Sequence, residues 1–75
     1  MYIKLTNASQ AHKGNTICIR KDLIVTVHNA TVPREDGSLD AVTFIFCPPH
    51  GTWEVSESVT DVLTQLNQTE DKYDF

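Results

Sequence analysis

Residues 51–68, GTWEVSESVTDVLTQLNQ, constrain the fold more than any other stretch. Val59, Val62, Leu63 and Leu66 recur at i, i+3, i+4 and i+7, so the spacing predicts one apolar stripe on one amphipathic helix. Ser58 and Asp61 form an S-x-x-D capping start, with Ser56 as the competing N-cap. Glu57 and Asp61 sit where the helix dipole favours negative charge. Leu63 lies mid-stripe and is expected to be buried. Gln65 is two steps of about 100° further round and is expected at the surface. A single amphipathic helix is marginal by itself, so the rest of the chain must supply the surface it covers.

Short strands supply that surface. Residues 2–6 alternate, with Ile3 and Leu5 on one side and Tyr2, Lys4 and Thr6 on the other, as a half-buried strand does. Residues 16–20 repeat the pattern, Ile17 and Ile19 against Cys18. Residues 23–28, LIVTVH, are the densest β-branched run and read as the strongest strand, with Leu23, Val25 and Val27 on the core side and Ile24 on the other. Residues 29–40 contain Pro33 and Asp36-Gly37 and read as a long polar loop, or a hairpin tip around Asp36-Gly37. Residues 41–47 set Val42, Phe44 and Phe46 against Ala41, Thr43, Ile45 and Cys47. Pro48-Pro49 ends that strand, and residues 52–55 add another with Trp53 and Val55 on one face.

The order β-β-β-β-β-α is an α+β class: a small antiparallel five-stranded sheet, open or barrel-like, with one C-terminal amphipathic helix. The expected core is Ile3, Leu5, Ile17, Ile19, Val25, Val27, Phe44, Trp53 and Val55 beneath the helix stripe. Residues 1–68 form the single domain, followed by a disordered acidic tail at residues 69–75, TEDKYDF.

At 75 residues such a core supplies about 3–5 kcal/mol of net stability, so a metal, a disulfide or a partner is the common supplement. Cys18 and Cys47 are expected to be free thiols in a reducing compartment. A net charge of -4 with six Lys and Arg residues argues against binding a phosphate backbone, which needs clustered cations. No apolar run reaches bilayer length and residues 1–10 lack a signal-peptide pattern, so the expectation is a cytoplasmic protein without a membrane partner.

Chemistry-bearing motifs are sparse. Cys47-Pro48-Pro49-His50 is a C-x-x-H spacing that could hold zinc together with Cys18 and either His12 or His28, although strong zinc patterns show paired short spacings. A Cys-His nucleophile would need an orienting third group, and the isolated glycines fit turns rather than a phosphate loop. The reading is therefore a non-enzymatic protein with no cofactor. By alternation, Tyr2, Cys18, Ile24, Ile45 and Cys47 fall on the second sheet face, where contiguous apolar surface marks an interaction site, and Tyr2, Ile24, Ile45 and Cys47 are its expected residues. The expected partner is another protein, a host protein or a second copy of the chain. The alternatives are a small structural zinc protein using Cys18, Cys47 and His50, and an acidic mimic of nucleic acid.

Ile3-Lys4-Leu5-Thr6, Asp22-Leu23-Ile24, and Gly51 followed by Val55-Ser56-Glu57-Ser58-Val59 and Asp61-Val62 resemble the FlbD/SwrD-type small flagellar proteins. The resemblance implies a short β-meander with a C-terminal helix and brings no catalytic motif. The chain departs from that pattern in the longer first loop at residues 7–15, the loop at residues 29–40 and the acidic tail. Its opening LTNAS…HKGN and compact acidic build also look like small uncharacterised proteins of tailed bacteriophages, which implies a host protein as the partner.

Overall fold

The computed structural model describes residues 1–68. The expected disordered tail at residues 69–75 lies outside the described residues. The α+β class holds: β1 (Tyr2–Thr6), β2 (Thr16–Arg20), β3 (Thr26–Pro33), β4 (Leu39–Cys47), β5 (Gly51–Val55) and the helix α1 (Val59–Leu66). Short 3-10 turns at Gln10–His12 and Lys21–Leu23 flank β2.

Among the described residues the strands form two antiparallel sheets, β1-β2 and β3-β4-β5, rather than one five-stranded sheet, and no barrel closes. The second edge of β1 shows why. Gln65 of α1 clamps Lys4, accepting from its backbone N–H at 3.1 Å and donating to its carbonyl at 3.0 Å. Glu57, just before α1, accepts from the Thr6 N–H at 2.8 Å and from its hydroxyl at 2.9 Å. Only past this point does backbone take over: Ser56 N–H donates to the Thr6 carbonyl at 3.0 Å and Ala8 N–H to the Glu54 carbonyl at 2.8 Å. Side chains of the helix and its cap thus satisfy an edge that a strand of the other sheet would otherwise fill. Among the described residues one isolated β-bridge, Asn7↔Val55, links the two sheets.

The helix starts where its sequence says. Ser58 is the N-cap and its hydroxyl accepts from the Asp61 N–H at 3.0 Å, so Ser56 does not compete. Its stripe is rotated from expectation. Val62 is fully buried, whereas Leu63 is 44% exposed and Gln65 faces β1. An eight-residue helix held at one end by Glu57 and along its side by Gln65 takes its rotation from those polar clamps, and Leu63 is turned outward.

The core lies between the inner faces of the two sheets. Ile3, Leu5, Ile17 and Ile19 meet Ile45, Cys47 and Val55, with Val62 closing the side and Ile24, Val27 and Leu66 packed around them. Ile45 and Cys47, expected on the exposed second face, are therefore core, at 0% and 1% exposure. The register decides it: Ile45 stands opposite Val27 on one side and Trp53 on the other, and Thr43 opposite Val55. Paired residues share a face, so the inward Val27 and Val55 take Ile45 with them. Phe44 goes to the other face, half-buried and 5.6 Å from the His28 ring, with Phe46, 40% exposed; Trp53 shares the Ile45 face by register but is 37% exposed on the edge strand β5.

The third strand is shifted along the chain relative to expectation. Residues 23–25 are not strand: Lys21–Leu23 form a 3-10 turn and Val25 is 62% exposed. Residues 29–33 and 39–40, expected in a loop, are paired as far as Pro33↔Leu39. The tip sets this register. The Asp36 carboxylate accepts from the Ser38 N–H at 3.0 Å and hydroxyl at 2.6 Å, Arg34 N–H donates to the Ser38 carbonyl at 2.8 Å, and Gly37 takes φ +87°. Such a tight turn propagates pairing into both arms, and Pro33 is tolerated because β3 is an edge strand.

Candidate functional site: an apolar groove with a basic rim

Alternation along β1 and β2 puts Tyr2, Lys4, Cys18 and Arg20 on the face opposite the core, with Tyr2 paired to Arg20 and Lys4 to Cys18. The Pro48-Pro49-His50 turn, which contains a cis peptide between the prolines, brings β5 back beside that end of β2. The result is a groove of about 240 Å³ lined by Tyr2, Cys18, Ile19, Leu23, Cys47 and Trp53, with Arg20 and His50 at its margin. Tyr2 is 64% exposed and Trp53 37%. Large aromatic side chains presented with one side open supply contact area at low conformational cost.

Tyr2 is also the wall of a second depression, about 200 Å³, lined by Met1, Ile3, Lys4, Lys21, Gln65 and Gln68. Here the Lys21 ammonium donates to the Gln68 carbonyl at 3.2 Å. Lys4, Arg20 and Lys21 are three of the protein's six basic residues, so an acidic protein carries a local basic rim around Tyr2. Arg20 is partly neutralised by Asp22 at 2.7 Å, an exposed pair of small energetic weight.

Of the residues expected to form an interaction surface, Tyr2 alone stands exposed at this groove, and Cys47 borders it from the core at 1% exposure. Ile45 is core, and Ile24 is half-buried against it. Trp53, Leu23 and Arg20 were not anticipated. Trp53 was expected in the core because it shares a face with Val55 by alternation, and only its place beside the Pro48-Pro49 turn marks it as groove. The zinc candidates Cys18, Cys47 and His50 do line the same groove, but among the described residues no group of three or more His, Cys, Asp or Glu side chains is placed to hold a metal ion. Burial pushes the Cys47 thiol above its ordinary range, which keeps it protonated and a poor nucleophile; Cys18 is the exposed one.

A polar cluster at the opposite end is built differently. The Arg34 guanidinium, 11% exposed, donates to Asp40 at 2.8 Å, to Glu54 at 2.7 Å and to the Ala8 carbonyl at 3.0 Å. Glu54, then Asp40, hold the guanidinium still more firmly in its charged form. Asp40 and Glu54 lie by register on the same face as the buried Val42. This arrangement ties β5, the β3–β4 hairpin and the first loop together. Beside it, the Ser38 hydroxyl and N–H hold the Asp36 carboxyl below its ordinary range.

Comparisons with protein-family models, with curated proteins and with solved structures each return no match. No described helix is long and apolar enough to cross a membrane.

Proposed function

We propose that the protein is a small non-enzymatic interaction module whose working surface is the Tyr2–Trp53 groove, and that its partner is a bacterial protein, in keeping with a bacteriophage-encoded chain. The observation that carries this reading is an open, aromatic-walled apolar groove with Arg20 at its margin and Lys4 and Lys21 on the other side of Tyr2, on a protein of net charge -4. Apolar walls supply affinity, and the local charge inversion selects what enters: a partner segment with apolar side chains flanked by carboxylates. The Cys18 thiol in the groove wall gives a direct test. A photo-crosslinker attached there is expected to capture one bacterial protein from lysate, and Tyr2→Ser and Trp53→Ala are expected to abolish the capture without unfolding the chain. Capture that survives both substitutions, or turnover of a metabolite by the purified protein, overturns the reading.

A further inference from the structure

The groove is walled by backbone as well as by side chains. We infer that the open edge of β2 receives an extended partner segment as an added strand, and that this segment alternates apolar residues with Asp or Glu. This rests on the reading of the groove as a binding surface and adds the conformation and the residue pattern of its ligand.

Ladder parity identifies the edge. Between β1 and β2, Lys21 N–H donates to the Met1 carbonyl at 2.9 Å and Asn7 N–H to the Asn15 carbonyl at 2.7 Å. Bonded and non-bonded pairs alternate in an antiparallel ladder, so Ile3↔Ile19 and Leu5↔Ile17 are the bonded pairs of this register. The residues between them turn their N–H and C=O groups away from the ladder. On β1 these include Lys4 and Thr6, which Gln65 and Glu57 reach from outside. On β2 they are Thr16, Cys18 and Arg20, whose outward backbone groups meet no partner among the described residues.

The other strand edges are defended. The helix and its cap close β1. The first loop meets β5, through the Asn7↔Val55 bridge and the Ala8 N–H on the Glu54 carbonyl. The outer edge of β3 ends in Pro33, which has no N–H to offer. An unpaired edge is a template for another strand, and folds block it with proline, charge or a cover. The TICIR strand of β2 has no proline and turns only Ile17 and Ile19 inward. It borders the groove through Cys18, Ile19 and Arg20.

The two faces of β2 set the pattern. Residues opposite one another across a ladder share a face. Partner residues opposite Cys18 and Arg20 join the face that carries Tyr2 and Lys4, where the cations favour carboxylates. Partner residues opposite Ile17 and Ile19 turn inward, where the groove offers Trp53, on the same face of its sheet as Ile45. An added strand draws affinity from main-chain hydrogen bonds and specificity from alternate side chains. A second copy of β2 is disfavoured, because it brings Arg20 and Lys21 to a rim that is already basic.

The probe is a blocked, fluorescein-labelled heptapeptide alternating glutamate with valine, added to the full chain. It is expected to bind and to slow hydrogen exchange at the Thr16, Cys18 and Arg20 amides, while Ile17 and Ile19, already in the ladder, change little. N-methylating one alternate set of its residues is expected to weaken binding about tenfold or more and methylating the other set to spare it, because one set of N–H groups faces β2. The same residues in block order, or the Arg20→Glu chain at unchanged far-ultraviolet circular dichroism, are expected to bind about tenfold more weakly. Equal binding of the two methylated peptides, or of the block-order peptide and its parent, overturns the inference, as does no binding of the parent at about 1 mM. Protection of the same amides that grows with protein concentration, without peptide, also overturns it, by assigning the edge to a second copy. Capture of a bacterial protein at Cys18 is a separate readout. Capture that persists while the alternating peptide fails rejects the added strand and leaves the groove.

Discussion

Arg34 and Tyr2 stand at two ends of the molecule and are treated in opposite ways. Arg34 is a charged side chain drawn in to 11% exposure, with its guanidinium spent on Asp40, Glu54 and the Ala8 carbonyl. Tyr2 is an aromatic side chain left 64% exposed over a groove whose walls are mostly apolar, with Arg20 and His50 at its margin. A polar group satisfied inside the chain stabilises and orients what it joins. An apolar wall left open gains only when something covers it. The first end is therefore read as structure and the second as a binding surface.

Substitutions can break or sharpen this contrast. The largest effect is expected in the core between the two ends: Ile45→Ala removes a fully buried side chain and should cost about 2–5 kcal/mol in urea unfolding, most of what a domain this small has in reserve. A neutral result would put Ile45 back on an exposed face. Next, Arg34→Lys should lower the urea midpoint nearly as much as Arg34→Ala. A single ammonium cannot reproduce the fork that reaches two carboxylates and a carbonyl at once. Full retention of stability by the lysine variant would make the node a matter of charge alone, and the contrast with the groove would weaken.

Smaller effects separate the two sides of α1. Gln65→Ala removes both hydrogen bonds to the Lys4 backbone and should cost about 1–2 kcal/mol, whereas Leu63→Ala should change stability by less than about 0.5 kcal/mol. The reverse order would mean that the apolar stripe, not the Gln65 clamp, sets the helix rotation. The smallest stability change is expected in the groove. Tyr2→Ser should alter the urea midpoint by less than about 0.5 kcal/mol while abolishing crosslinked capture at Cys18. A large loss of stability there would make Tyr2 part of the core and remove the distinction on which the functional reading stands.

The pattern of alternating residues, the Ser58–Asp61 capping pair and the Pro48-Pro49 stop were sufficient for β1, β2, the end of β4, β5 and α1, because each is settled by neighbours in the chain. Ile3, Leu5, Ile17, Ile19 and Val55 were legible as core for the same reason. What alternation cannot supply is which of two faces points inward, since both have period two. Phe44 and Ile45 are equally apolar neighbours, and only pairing with Val27 and Val55 selected Ile45. The groove was less legible: Tyr2 is placed there by alternation, Cys47 borders it from the core rather than from the expected second face, and Trp53 was read as core because it alternates with Val55, a pattern that does not reveal position beside a turn. The division into two sheets was decided by tertiary structure alone. It depends on Gln65 and Glu57 reaching Lys4 and Thr6, residues 61 and 51 positions away in the chain, and no local signal encodes a hydrogen bond across that separation.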